Sequence, residues 1–368
     1  MKMKALKFFL SRGDDTRNAP VSRSDHFRIK HCCAMFILFA LQPAAQTRGL
    51  SAQQTNARVA QPADQPLRNQ RDSAPRTIAP ASEQAIPFEL RSGFLVVVEG
   101  RIGSLTPVRF VLDTGTTHSM MDTKIAARLG LPRKEGLVVN LDRKTQVSWT
   151  NVPELQVGPL KIQGARMMVS ELSRLTEFAE GIDGVIGLDV LGMCRAVNIN
   201  FETMQIVFRT DGRSEQAVTG PLLVRLEVQG EPLRLVLDTG ARDIFLYEDR
   251  VRVHARGLTG EHQAARAWAG WMKGKITPRL GIRLGEREFE GSAFLMKKAP
   301  NSLPVEIDGY LGLGLLNARY VELDFEASML RYIKREPGAR TRAGSDENGR
   351  DRPGVETTAA RIALAVVH

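Results

Sequence analysis

The sequence predicts a mostly β fold made of two tandem copies of one unit. Short runs of Val, Ile, Leu and Phe are interrupted by Gly or Pro at intervals of about eight to twelve residues, which is typical of chains with many short strands. The 368 residues, 43% of them hydrophobic, suffice for one large or two ordinary globular domains. Two separate blocks of sequence also recur at a constant spacing of 125 residues, which indicates a duplication.

The clearest strands are predicted at Phe94–Val98, Arg109–Leu112 and Leu222–Val228. These segments are rich in β-branched and aromatic residues and are bounded by turn residues. One short helix is predicted from Asp122 to Leu129, with Gly130 as its stop signal.

The duplication is read from blocks that keep one register. Pro107–Gly115 recurs as Pro232–Gly240, and Ile182–Leu191 recurs as Ile307–Leu316. Further matches lie between and after these blocks in the same order. We therefore place the first copy at residues 91–212 and the second copy at residues 218–335.

The two ends differ from these copies. Residues 1–45 combine many basic residues with the apolar run Cys32–Leu41, which is typical of a secretory signal. This run is too short to span a bilayer, which takes about 20 residues as a relaxed helix. We expect export to the periplasm or medium, with an uncleaved membrane anchor or a chance apolar patch as alternatives. Residues 46–90 and 336–368 are expected to be a disordered linker and a disordered tail, because they are poor in large apolar residues.

Charge and cysteine content exclude several classes of function. The chain has a net charge of +10, but residues 93–335 hold 32 basic and 29 acidic residues, a net charge of +3. Most of the positive charge therefore lies in the ends, and nucleic acid is not an expected partner. Cys194 is the only cysteine within the two copies, so neither a disulfide inside them nor a cysteine metal cluster is expected.

The repeated motif suggests paired acid–base chemistry. In each copy an apolar strand runs directly into Asp-Thr-Gly, at Asp113 and at Asp238. Two such carboxyl groups brought face to face cannot both ionise cheaply, so they share a proton and act together as acid and base. A single Asp-Thr-Gly would more simply be a turn, but the paired and flanked copies argue against that interpretation.

Both motifs, with the later Asp183-Gly-Val-Ile-Gly and Asp308-Gly-Tyr-Leu-Gly segments, resemble the retropepsin-like and pepsin-like aspartic proteases. The resemblance covers about 240 residues and implies two closed β-barrel lobes, related by a pseudo-twofold axis, with the active-site cleft between them. It implies that Asp113 and Asp238 are the catalytic pair and that the hydroxyls of Thr114 and Thr239 make interlocking contacts. The residues that it assigns to active-site support and to the supporting strands are Thr114, Gly115, Thr116, Thr239, Gly240, Ala241, Ile186, Gly187, Leu311 and Gly312.

The copies differ at the residue after the motif. Thr116 follows the first Asp-Thr-Gly, whereas Ala241 follows the second. A hydroxyl donated to Asp113 would favour its ionised form. We therefore hypothesise that Asp113 is the base of the pair and Asp238 the acid.

The resemblance also implies flaps, hairpins that close over the substrate. It places them near residues 138–149 and 263–275, with Trp149, Trp268 and Trp271 as candidate contacts. A tryptophan at a strand end, such as Trp149, is more often a core residue.

The expected function is that of a single-chain aspartic endopeptidase, monomeric because both aspartates lie in one chain. It would act on polypeptides with no cofactor and no metal. The alternatives are a noncatalytic peptide-binding module on the same fold and, less favoured, a glycosidase that uses two carboxylates.

Overall fold

The computed structural model describes residues 33–34, 84–140, 143–172, 180–210, 220–251, 261–267, 270–277, 279–300, 307–335 and 359–366. Within these ranges the chain is mostly β, as predicted. Two short α-helices and one 3₁₀ turn are also present there. No helix in the described part of the chain is long and apolar enough to cross a membrane.

An eight-stranded sheet is formed by residues of the first copy and the segment just before it. Its strands run in the order β3-β4-β5-β10-β6-β9-β8-β7. Their bounds are β3 Glu89–Arg91, β4 Leu95–Ile102, β5 Leu105–Leu112, β6 Met120–Asp122, β7 Lys134–Asn140, β8 Arg143–Val157, β9 Leu160–Ser170 and β10 Gly184–Ile186.

A sixteen-stranded sheet contains the remaining strands, including all those of the second copy. A 3₁₀ turn at Leu313–Leu316 lies in this part of the chain. The strand bounds are β1 Cys33–Ala34, β2 Ala85–Pro87, β11 Ala196–Asn200, β12 Gln205–Arg209, β13 Leu222–Val228, β14 Glu231–Asp238, β15 Ile244–Tyr247, β16 Glu261–Ala267, β17 Gly270–Ile276, β18 Leu280–Leu284, β19 Arg287–Gly291, β20 Ala293–Met296, β21 Gly309–Gly312, β22 Ala318–Asp324, β23 Met329–Lys334 and β24 Ala360–Val366.

The predicted strands and helix are found where the sequence pattern puts them. β13 has the predicted bounds, Arg109–Leu112 lies in β5, and Phe94–Val98 lies in β4 except for Phe94, which precedes it. Helix α1 spans Thr123–Arg128; Asp122 caps its first turn by accepting from the N–H of Lys124 at 2.8 Å. Gly130 follows with a φ of +61°, a left-handed conformation that ends a helix readily.

The strands that carry the two Asp-Thr-Gly motifs have the same neighbours. β5 pairs in parallel with β10, and β10 also pairs antiparallel with β6. In the second copy, β14 pairs in parallel with β21, and β21 pairs antiparallel with β15. Both motif strands therefore lie between two partner strands, and their ends next to the motifs, Phe110–Leu112 and Leu235–Asp238, are buried throughout.

The two copies are joined by β-sheet pairing. β11 of the first copy pairs antiparallel with β22 of the second, with Asn198 opposite Glu322. Hairpin partners β12 and β23 flank these two strands. One hydrophobic cluster runs through both copies and includes Val197, Ile199, Val321 and Leu323 from this junction.

The structure differs from the expected disordered tail. Residues 360–366 form β24, which pairs antiparallel with both β23 and β13. Ile362 and Leu364 are buried because the strand alternates apolar residues toward the core with exposed ones between them. The pattern is only seven residues long, which is why composition alone conceals it.

The expected linker also ends earlier than residue 90. β2 pairs with β12 and β3 with β4, and Phe88 between them is buried. β24 has the corresponding place in the second copy: Phe88 N donates to Met204 O at 3.0 Å, and Leu364 N donates to Ser328 O at 2.7 Å. The segments on either side of residues 91–335 thus each add strands to the sheets.

The predicted export segment lies outside the described residues, except for β1. The backbone of β1 pairs in parallel with β16, with Cys33 opposite Arg266.

Candidate active site

Asp113 and Asp238 come together at the ends of β5 and β14. Both side chains are fully buried. The backbone of Asp113 is bonded to the neighbouring strand β10, because its N–H donates to the carbonyl of Ile186 at 3.0 Å. In the second copy Asp238 is paired with Gly312 in the β14–β21 ladder.

Each carboxylate is oriented by its own loop. Gly115 N donates to Oδ1 of Asp113 at 2.8 Å, and Gly240 N donates to Oδ1 of Asp238 at 2.7 Å. The Oδ2 atom of each aspartate is buried and accepts no hydrogen bond from another residue in the described part of the chain. Buried polar atoms are almost always satisfied, so such a pair marks a site that a reactant's polar atoms would complete.

Two threonines interlock the motif loops. The hydroxyl of Thr114 donates to the carbonyl of Leu237 at 2.8 Å and accepts from the N–H of Thr239 at 3.1 Å. The hydroxyl of Thr239 donates to the carbonyl of Leu112 at 2.8 Å and accepts from the N–H of Thr114 at 3.0 Å. These four reciprocal bonds fix one loop against the other, as the resemblance implies for these residues.

Gly115 and Gly240 are required by close approach. A Cβ at Gly115 would lie 2.4 Å from Oδ2 of Asp238, and a Cβ at Gly240 would lie 2.7 Å from Cγ of Asp113. Neither glycine has a positive φ. Each motif therefore leaves out a side chain at the place that the opposite carboxyl group occupies.

The environment raises the pKa of both aspartates. Burial raises the pKa of Asp113 to about 7, opposed by its interaction with the Asp238 side chain and by the N–H groups of Gly115 and Thr116. Burial, followed by repulsion from Asp113, raises the pKa of Asp238 well above its ordinary value. The pair therefore keeps a proton at pH values where a solvated aspartate would be ionised.

The predicted role of the Thr116 hydroxyl is wrong in its detail. This hydroxyl donates to the carbonyl of His118 at 3.0 Å, so it is not directed at Asp113. The backbone N–H of Thr116, and not its side chain, lowers the pKa of Asp113. Asp238 receives the corresponding help from the N–H of Ala241, so the 116/241 difference does not by itself distinguish the two aspartates.

The glycines of the supporting strands lie under the loops that follow the motifs. A Cβ at Gly187 would lie 2.7 Å from the carbonyl carbon of His118, and a Cβ at Gly312 would lie 2.6 Å from that of Arg242. Ile186 and Leu311 are fully buried in β10 and β21, beside the motif strands.

The flap candidates differ in what the structure shows. Trp149, in β8, is buried; its ring makes an edge contact with His118 at 5.1 Å between centroids, and the Arg166 guanidinium lies 4.4 Å from the ring centroid. The backbone of Trp271 lies in β17, and Trp268 lies outside the described residues.

Several contacts near the site were not predicted. Tyr310, next to Leu311, is fully buried, and its hydroxyl lies 3.4 Å from that of Tyr247. Burial, with smaller contributions from Tyr247 and Asp238, raises the pKa of Tyr310 well above its ordinary value. Ser119 and Asp189 form a second unpredicted contact, described below. The only sequence signal for it was that Gly314 replaces Asp189 in the second copy.

Residues that could hold a metal do not converge in the part of the chain that the structure describes. No group of three or more His, Cys, Asp or Glu side chains is found there. The described site therefore consists of two carboxyl groups, backbone N–H groups and hydroxyls.

Comparison with known families supports the resemblance. Residues 98–190 match the family model Asp_protease_2, described as aspartyl protease. The match includes Asp113, Ile186 and Gly187, which confirms the resemblance to aspartyl proteases over this segment. No curated protein matches the chain.

Proposed function

We propose that this protein is an aspartic endopeptidase in which Asp113 and Asp238 activate a water molecule against a peptide bond. The observation that carries the proposal is the facing pair of buried carboxyl groups whose Oδ2 atoms are unsatisfied within the described part of the chain. The aspartyl protease match supports hydrolysis of polypeptides as the reaction class.

The proposed reaction needs one shared proton. The ionised carboxylate takes a proton from water as the water oxygen attacks the carbonyl carbon, while the protonated carboxyl donates its proton to the carbonyl oxygen. The resulting tetrahedral diol then collapses: one carboxylate recovers a proton from a hydroxyl, and the other group protonates the departing amine. The raised pKa values of the pair support a form that carries one proton.

The organisation that we propose is a tandem duplication, with lobes at residues 91–212 and 218–335 about a pseudo-twofold axis and the cleft between them. The shared 125-residue spacing, the equal pairings of β5 and β14 and the reciprocal threonine bonds support it.

Because both aspartates lie in one chain, we propose a monomer. We further propose export, which rests on the basic and apolar pattern of residues 1–45.

The test is cleavage of casein and of a peptide library from pH 3 to pH 8, with and without pepstatin, an inhibitor that mimics the tetrahedral diol. Asp113→Asn and Asp238→Asn should each lower kcat/KM by about 10³-fold or more, because each removes one half of an acid–base pair.

Asp183→Asn is the matched control. The Oδ2 atom of Asp183 accepts from the N–H of Arg109 at 3.0 Å, at the end of β10 away from Asp113, so activity should persist. A folded wild type that binds peptides without cleaving them would replace the proposal with a noncatalytic binding module. Activity that survives in both dyad variants would contradict the assigned residues.

A further inference from the structure

A buried side-chain network holds the loop that follows Asp113. The N–H and the hydroxyl of Ser119 donate to Oδ1 of Asp189 at 2.8 and 2.7 Å. The N–H of Gly187 donates to Oγ of Ser119 at 3.0 Å. Ser119 is fully buried and Asp189 is 8% exposed. Gly187 directly follows Ile186, whose carbonyl accepts from the N–H of Asp113, so the network reaches within one residue of that contact.

Backbone bonds join the same two segments. Helix α2, Leu188–Leu191, begins just after Gly187, and Leu188 N donates to the carbonyl of Thr116 at 3.0 Å. Asp189 N donates to the carbonyl of Thr117 at 3.2 Å. These backbone bonds fix the loop at Thr116 and Thr117. The Asp189 side chain extends the contact to Ser119.

The second copy cannot form this network. At the 125-residue spacing, Ile244 stands in place of Ser119 and Gly314 in place of Asp189, and neither has a side-chain atom that forms hydrogen bonds. A Cβ at Gly314 would lie 2.9 Å from the carbonyl oxygen of Arg242, so that position has no room for a side chain.

The corresponding loop of the second copy is held through the backbone. Gly312 N donates to the carbonyl of Asp243 at 3.0 Å, and Gly314 N donates to that of Ala241 at 3.4 Å. The two loops are thus supported by different means, although the two motifs are the same.

We infer that Asp189, acting through Ser119, is a positioning residue for Asp113. The inference rests on the proposed function, since it assigns a supporting side chain to one of the two proposed catalytic residues. A catalytic carboxylate must be held within a fraction of an ångström of its productive position, and hydrogen bonds one shell away provide that constraint. Loss of the Asp189 acceptor frees Ser119 and loosens the strand end beneath Asp113.

The test compares two substitutions of the same residue. Asp189→Ala removes the acceptor and leaves the Ser119 donors buried and unsatisfied, so kcat should fall by about tenfold or more while KM changes little. Asp189→Asn retains a side-chain oxygen that accepts both bonds, so its kcat should stay within about threefold of the wild type.

Asp183→Ala is the matched control. It also removes a carboxylate that accepts a backbone N–H of the same copy, from Arg109 at 3.0 Å, and β10 separates it from Asp189. It should lower the unfolding temperature without changing kcat of the folded enzyme. An equal fall in kcat in Asp183→Ala and Asp189→Ala, an unchanged kcat in Asp189→Ala, or no rescue by asparagine would overturn the inference.

Hydrogen exchange separates this inference from the proposed function. The amides of Ser119 and Gly187 should exchange at least about tenfold faster in Asp189→Ala and nearly as in the wild type in Asp189→Asn. This readout does not need catalysis. Unchanged exchange in Asp189→Ala refutes the positioning network even if the wild type cleaves no peptide, whereas an inactive wild type with the expected exchange pattern refutes only the proposed reaction.

Discussion

The hydroxyls of Thr114 and Thr239 each make two hydrogen bonds to the backbone of the opposite motif, one as donor and one as acceptor. In a solvated chain, water would form these bonds. Both threonines are almost completely buried, so a lost hydroxyl cannot be replaced readily by solvent. The sequence predicted their contact from the resemblance, because an Asp-Thr-Gly motif that occurs twice implies a reciprocal pair. It did not predict Ser119 or Asp189, because their contact joins residues 70 positions apart and occurs in one copy only.

Thr114→Val should destabilise the protein by about 2–4 kcal/mol, because the carbonyl of Leu237 and the N–H of Thr239 are left buried without a partner. Thr114→Ser keeps the hydroxyl and should cost about 1 kcal/mol for the lost methyl group. Urea unfolding measures both, with the exposed Thr203→Val as the control. Equal losses for valine and serine would contradict the role of the hydroxyl.

The absent side chain of Gly115 has a structural role. A motif glycine is expected to permit a tight turn, but at Gly115 the missing side chain also leaves space for Asp238. Gly115→Ala should therefore destabilise the protein by more than about 2 kcal/mol and abolish peptide cleavage, since Cβ would displace the carboxyl group.

Gly281→Ala is the control for that substitution. A Cβ at this position would lie 3.9 Å from the nearest atom, and the φ of Gly281 is not positive. The free energy of unfolding, measured by thermal unfolding, should therefore change by no more than about 0.5 kcal/mol. Full activity in Gly115→Ala would show that the pair tolerates separation.

At the level of elements, apolar strands that adjoin Gly or Pro were predictable, and β13 matches its predicted bounds. β24 was not predictable, because a seven-residue alternation within a polar tail carries too little signal by itself. Its partners β13 and β23 lie earlier in the sequence, and only the folded sheet shows that a strand is needed between them.

Leu364→Ala in β24 should destabilise the protein by about 2–3 kcal/mol, because this side chain is buried against the shared core. A chain that ends at residue 358 should lose more, since β13 and β23 would each lose one of their hydrogen-bonded neighbours. Ala363→Ser, exposed on the same strand, is the control for urea unfolding. A truncated chain as stable as the full one would show that β24 contributes nothing.

At the level of the whole molecule, the buried pair links stability to pH. An unfolded aspartate titrates near pH 3.9, whereas burial raises the pKa of Asp113 to about 7 and that of Asp238 well above its ordinary value. Between these values the folded protein binds more protons than the unfolded chain. The contribution of this pair to the free energy of unfolding is therefore largest below about pH 4 and falls as the pH rises toward 7.

Asp238→Asn removes the repulsion within the pair, and with it much of this penalty. It should raise the free energy of unfolding by about 1–3 kcal/mol at pH 7 and by less than about 0.5 kcal/mol at pH 4, where the wild-type pair is already protonated. Thermal unfolding at both pH values measures the difference, with Asp183→Asn as the control for loss of a carboxylate elsewhere. The substitution also removes a proposed catalytic residue. A variant that is more stable at neutral pH and yet inactive would show that the buried pair lowers stability but is needed for catalysis. Equal stability of Asp238→Asn and wild type at pH 7 would mean that the two carboxyl groups do not interact in the folded chain.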